Sequence, residues 1–212
     1  MLGTHDLWLF VLSGFLLNIT PGPDTLYIVG RSSTQGWRGG AVAALSIGAG
    51  TLVHIAAAAV GLSALLAASA AAFTAVKLVG AAYLLYVGIS LIRSAGKSQS
   101  SKDAIVVRPA SMRGIFAQGF LTNVLNPKVA LFFLAFLPQF VAADASSKPL
   151  AFLFLGAIFD FNGTIWNLAV AWSTAKLSST LAPSAAFKRW FNRCVGSLFI
   201  FIGVRLALSR EH

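Results

Sequence analysis

Charge is what this chain has least of. Only 10% of its 212 residues are Asp, Glu, Lys or Arg, where a soluble domain carries about 25%. Between Arg38 and Lys77 no side chain is formally charged, and the one ionisable group is His54. Cysteine is nearly missing as well. Cys194 stands alone, which excludes an intramolecular disulfide and offers no thiolate cluster for a metal. The three histidines, His5, His54 and His212, are too scattered for a zinc site. There is no glycine-rich phosphate loop, no Cys/His metal spacing and no G-x-S-x-G elbow. A soluble enzyme is not expected, nor a cofactor or resident metal.

What fills the chain instead is apolar, with 57% hydrophobic residues and a mean hydropathy of +0.79. The apolar stretches fit six helices, each near the roughly 20 residues that a bilayer crossing requires. They cover approximately 7–30, 39–66, 73–93, 114–141, 149–172 and 187–208. The first has no basic leader and no small-residue cleavage site, so it reads as an uncleaved span. A net charge of +10 would suggest nucleic acid only if the basic residues formed one face of a folded domain. They lie in loops. Arg31 and Arg38 follow span 1. Arg93, Lys97, Lys102, Arg108 and Arg113 surround the central loop, and Lys176, Lys188, Arg189 and Arg193 separate spans 5 and 6. The other side has only Lys148, Arg205 and Arg210. The positive-inside rule therefore places the three basic loops in the cytoplasm and both termini outside. Trp37, Trp172 and Trp190 fall near span ends, as interfacial anchors do, whereas Trp166 sits deeper, close to Asp160.

The one long polar segment, about 94–113, divides a single transmembrane domain, 1–212, into halves of about 7–93 and 114–208. A three-span unit ends on the side opposite to its start, so a second copy must be inverted. Three matches support such a repeat. Gly14-Phe15-Leu16-Leu17-Asn18 leads to Pro21 as Gly119-Phe120-Leu121-Thr122-Asn123 leads to Pro127. His54 and Asp160 are separated by the same offset as those prolines, 106 residues. Lys77-Leu78-Val79-Gly80 with Gly88 resembles Arg193-Cys194-Val195-Gly196 with Gly203. The expected fold is all-α, six transmembrane helices in two inverted three-helix repeats, with proline-broken helices 1 and 4. Span 2 is dense in Gly and Ala, and such small faces suit tight helix packing within the chain or in a homo-oligomer.

Each proline removes a backbone donor in a region without water, a cost tolerated where the freed groups face protein or a wet cavity. Paired breaks of this kind point to a transporter's binding site. The first constellation is Asn18, Thr20, Pro21, Gly22, Pro23 and Asp24. Its break exposes backbone N–H groups that suit a carboxylate; the plainer alternative is a structural kink capped by Asp24. The second is Asn123, Asn126, Pro127 and Lys128. A lysine at mid-membrane needs a partner or a wet path, and Asp24 and Asp160 are the candidates, with snorkelling of Lys128 as the alternative. The third is Asp160 with Asn162. Asp160, Asp24 and His54 are candidate proton carriers, although a lone histidine is as readily a neutral one bonded to a backbone carbonyl. A divalent-cation carrier using Asp24, Asp160 and His54 is a rival reading, weakened by Lys128 and by too few oxygen ligands. A structural membrane subunit without transport is another.

The segment Asn18–Asp24, continuing through Gly30-Arg31 and Gly36-Trp37-Arg38-Gly39-Gly40, resembles the N-terminal signature of the LysE/RhtB family of amino-acid exporters. Gly119 to Lys128, followed by Phe136-Leu137-Pro138-Gln139-Phe140, resembles that family's second signature. The resemblance spans essentially the whole chain. It implies a multi-pass exporter of amino acids or similar small zwitterions in a bacterial inner membrane, driven by proton antiport. Its partners would be the substrate, protons and the lipid bilayer, with no nucleic acid and no cofactor.

Overall fold

The computed structural model describes residues 2–64, 70–94, 108–142 and 144–176, with single positions between 190 and 207. The described residues are helical and contain no strand; one isolated bridge pairs Thr4 with Val141. The elements are α1 Leu7–Ile19, α2 Pro23–Ala57, α3 Ala70–Ser94, α4 Met112–Val124, α5 Pro127–Leu131 and α6 Lys148–Lys176. A wide π-type turn, Ala58–Leu62, prolongs α2, while Phe132–Phe136 and Leu137–Phe140 prolong α5 as π and 3-10 turns.

Among the described residues, two helices are long and apolar enough to cross a membrane, Pro23–Leu62 and Lys148–Lys176. Met112–Val124 and Pro127–Phe140, bent by 43°, make a third if taken as one span. Pro23–Leu62 is not straight. Gln35 and Gly36 leave helical geometry, and Gly36 takes a φ of 65° with open space around its α-carbon. A side chain is strained at such a φ and glycine is not. The expectation of a span ending near residue 30 and another starting near 39 thus meets a sharp bend at Gly36, with helix on both sides. Predicted span 6 is described only at scattered positions, which are helical, and most of the central loop lies outside the described residues.

Both expected breaks are present. Between α1 and α2 the chain runs through Thr20, Pro21 and an extended Gly22 (φ −157°), and Pro23 then opens α2 at a position where its missing N–H costs nothing. Between α4 and α5 lie Leu125 and Asn126, and Pro127 again opens the next helix.

α2 packs most extensively on α6 and α4, α1 packs on α6, and α3 meets the Phe132–Phe136 turn. Gly88 of α3 lies against Gly196, where a Cβ on either would fall within 2.7 Å of the other's carbonyl oxygen. Two apolar clusters result. One gathers Phe10, Phe132, Phe133, Phe136, Phe140 and Phe159; the other gathers Ile28, Ala43, Ala44, Ile47, Ile115 and Ala171. Meanwhile Leu52, Val60, Leu125, Phe161 and Ile165 are exposed, while Asn123, Asn126 and Thr51 are buried. Polar groups inside and large aliphatic groups outside are what a surface immersed in lipid requires.

Candidate functional site

The polar residues between the two apolar clusters line one cavity of about 500 Å³, its open mouth included. The α6 wall follows from helical periodicity. Asp160, Gly163, Thr164 and Asn167 recur at i, i+3, i+4 and i+7 and share the inner face. Phe161 and Ile165 point the other way. Ile47, Gly48 and Thr51 of α2 repeat the pattern opposite. Leu17, Asn18, Gly22, Asp24 and Thr25 come from the first break, and Asn123, Asn126, Lys128 and Val129 from the second.

Two side chains of the second break, Lys128 and Asn123, reach across to the first. Lys128 Nζ donates to the carbonyl oxygens of Leu17 and Thr20, each at 2.7 Å. These are carbonyls that the end of α1 leaves without intrahelical acceptor duty. The sequence pointed to Asp24 or Asp160 as the partner of Lys128; Asp24 stands within electrostatic reach of the ammonium, and the two carbonyls are acceptors the sequence did not anticipate.

Asp24 sits in the first turn of α2, where the helix dipole favours a carboxylate. Asn123 Nδ2 donates to its Oδ2 at 2.9 Å. Its Oδ1 is buried without a hydrogen-bond partner among the described residues. A buried acceptor left unsatisfied is costly; the Asn126 amide and the Lys128 ammonium are polar groups close to this carboxylate, and a donor reaching it from the cavity would be stabilised. Asp160 lines the same cavity with Thr164 one turn along.

The other predicted residues divide. Asn123 is engaged on all sides. Its Oδ1 accepts from Thr51 Oγ1 at 3.3 Å and its carbonyl meets His54 Nε2 at 3.1 Å. Asn126 Oδ1 accepts from the Lys128 backbone N–H at 3.0 Å and so caps α5. No side chain caps the start of α2. Of the two helix starts expected to offer donors, the one at Gly22 and Thr25 is the open one. Asn18 reaches the Phe159 carbonyl at 3.5 Å and borders the cavity.

Thr20 does not face the cavity through its hydroxyl, which donates back to the Leu16 carbonyl at 2.7 Å. Pro21, Pro23 and Pro127 are exposed and shape the breaks without lining the cavity. Asn162 faces a separate, shallow groove beside Phe10, Gly14 and Phe15. His54 stacks on Phe133, centroids 5.9 Å apart, and its Nε2 meets a carbonyl, an acceptor only, so that nitrogen carries the proton. It does not line the cavity.

Three threonines, Thr25, Thr51 and Thr164, belong to the lining without having been singled out in the sequence. For Thr164 the i+4 spacing from Asp160 was the available signal. The glycines of α2 do more than allow close packing. A Cβ on Gly48 would fall 2.8 Å from Thr164 Oγ1, and one on Gly50 2.8 Å from Asn123 Cβ. Gly163 likewise makes room for Asn18, whose Nδ2 would be 3.0 Å from an added Cβ.

At the end carrying Arg31, a polar cluster ties α2 to the α4 side. The Arg31 guanidinium donates to Gln118 Oε1 at 2.5 Å and to the Arg108 carbonyl at 3.0 Å. Gln35 exchanges bonds with the Ala110 backbone, and Tyr27 donates to the Ile115 carbonyl at 2.6 Å. At the other end the stacked phenylalanines close the gap, with Phe132 and Phe159 centroids 4.4 Å apart. The N-terminal chain pairs with 140–142 above them. Among the described residues, no three His, Cys, Asp or Glu come together as a metal site would need.

The family model for LysE type translocators matches residues 15–210. An uncharacterized membrane protein of Pseudomonas aeruginosa is 29% identical over 98% of this chain and 97% of its own length. A leucine efflux protein of an Enterobacter species is 27% identical over 97% of this chain and 96% of its own. A leucine efflux protein of Salmonella choleraesuis is 25% identical over 97% and 96%. No solved structure matches.

Proposed function

The chain belongs to the LysE type translocator family, whose members are transporters and not enzymes. On that premise we propose that it exports a zwitterionic amino acid with an aliphatic side chain, by alternating access and in exchange for protons, across a bacterial inner membrane. The observation that carries this reading is the cavity itself. It sets two carboxylates, one with an open oxygen, beside an uncapped helix start, and lines the remainder with Leu17, Ile47, Val129 and Phe159.

The substrate ammonium binds between Asp24 Oδ1 and Asp160. Its carboxylate meets the N–H groups at the start of α2, near Gly22 and Thr25, where the positive helix end favours an anion. An aliphatic side chain suits the apolar wall, and a second cation is disfavoured by Lys128 in the same lining. A proton arriving from outside neutralises the carboxylate and releases the ammonium outward; its later loss to the cytoplasm restores the site.

The fold proposed for this is six spans in two inverted repeats, basic loops inside and both termini periplasmic. The Arg31 cluster then closes the cytoplasmic side and the phenylalanine cluster the periplasmic side. Each exit requires one to part while the other holds. The leucine efflux names of two relatives support an aliphatic substrate. The test is efflux from cells loaded with individual labelled amino acids. Export of leucine or a close aliphatic analogue, with no export of lysine, is expected. Export of lysine with no aliphatic substrate would overturn the assignment.

A further inference from the structure

Lys128 occupies a position that its own helix does not explain. It lies in the first turn of α5, the positive end of the dipole, where a cation is disfavoured. Its stem passes Gly22, where an added Cβ would be 3.6 Å from Lys128 Cδ, and its ammonium ends on the carbonyls of Leu17 and Thr20. The neighbouring Leu16 carbonyl is already taken by Thr20, through both backbone N–H and hydroxyl. Two converging carbonyls at the negative end of a broken half-helix form the kind of site that binds a small mobile cation in secondary carriers.

We propose that the Lys128 ammonium is a tethered cation: it fills the carbonyl site opened by the Pro21 break, so that no sodium or other alkali ion is needed there. Lys128 is thus a positioning residue that ties α5 to the end of α1, and the substrate carboxylate is held elsewhere. A small primary ammonium ion in solution should be able to replace it once the side chain is cut back. A neutral chain of similar length should block that replacement, because it fills the channel and leaves both carbonyls unbonded.

The test uses thermal unfolding of the purified full chain in detergent, which needs no transport assay and so stands or falls separately from the substrate assignment. Lys128→Ala is expected to melt well below the parent and to recover most of the loss as ethylammonium chloride is raised, by binding to the folded state. Choline chloride, too bulky for the site, is expected to restore nothing. Lys128→Met is expected to stay destabilised in both salts. The unsubstituted protein is expected to melt alike in sodium and choline chloride. Failure of ethylammonium to raise the melting point of Lys128→Ala above its value in choline would overturn the proposal. Should Lys128→Ala not fold, the unsubstituted protein decides: sodium-specific stabilisation contradicts a filled site, and equal melting in the two salts supports it.

Discussion

At the first proline break the chain passes through Pro21 and Gly22, leaves the Leu17 and Thr20 carbonyls to another segment, and starts α2 with no side-chain cap. At the second it passes through Asn126 and Pro127, and the start of α5 is capped from within by Asn126. The first break is filled by Lys128 at the end of α1 and uncapped at the start of α2, whereas the second is closed at its start. The difference lies in the residues that flank the prolines. Gly22 supplies no side chain where Asn126 supplies an amide, and Asp24 follows the first proline pair where Lys128 follows Pro127. The second break therefore braces, and the start of α2 keeps backbone donors and one Asp24 oxygen without side-chain partners among the described residues.

Removing the brace should have the largest effect. Lys128→Met leaves two carbonyls without their donor, each costing about 1–3 kcal/mol when buried. It should abolish export in cells and lower the melting temperature of the purified chain. Normal export by this variant would show that the two breaks do not depend on each other. Next comes Asp24→Asn, which removes the open carboxylate oxygen of the first break. Losing one charge-assisted hydrogen bond of about 1.5–3 kcal/mol should slow export by roughly 10–100-fold. Initial efflux rates measure this, and a change below about twofold would reduce Asp24 to a helix cap.

Gly50→Ala probes the wall behind Asn123. An added Cβ would stand 2.8 Å from Asn123 Cβ and 3.0 Å from the Phe120 carbonyl. Overpacking of this kind costs about 1–3 kcal/mol, and a lowered melting temperature with weakened export is expected. The smallest effect should come from Asn126→Ala. Loss of an N-cap costs about 1 kcal/mol, and a modest drop in melting temperature with substantial export retained is expected. A complete loss of export would mean that Asn126 touches substrate and that the second break is as functional as the first.

Much of the site could be read from residue types that are expensive inside a membrane. Three prolines, a lysine and two aspartates in apolar spans stood out, and the cavity gathers Asp24, Lys128 and Asp160 together with Asn18, Asn123 and Asn126. Side-chain direction was not legible. Thr20 and Asn162 have the right chemistry and the right neighbourhood, yet the hydroxyl turns back to its own helix and the amide faces the separate groove between α6 and α1. His54 shares the repeat offset with Asp160, but its place one turn beyond Thr51 turns it toward the Asn123 carbonyl and Phe133. The lysine's acceptors were hidden for a different reason. Backbone carbonyls carry no residue identity, so nothing in the letters distinguishes a carbonyl that a break leaves open from one in a regular helix.

If a carboxylate in this cavity exchanges a proton against the substrate, Asp160→Asn must uncouple export from the proton gradient. Reconstituted protein should export substrate faster as the pH gradient steepens, whereas Asp160→Asn should lose that dependence along with net export. Asp160→Asn proteoliposomes that still export, with an unchanged response to the pH gradient, would make Asp160 structural and contradict the account.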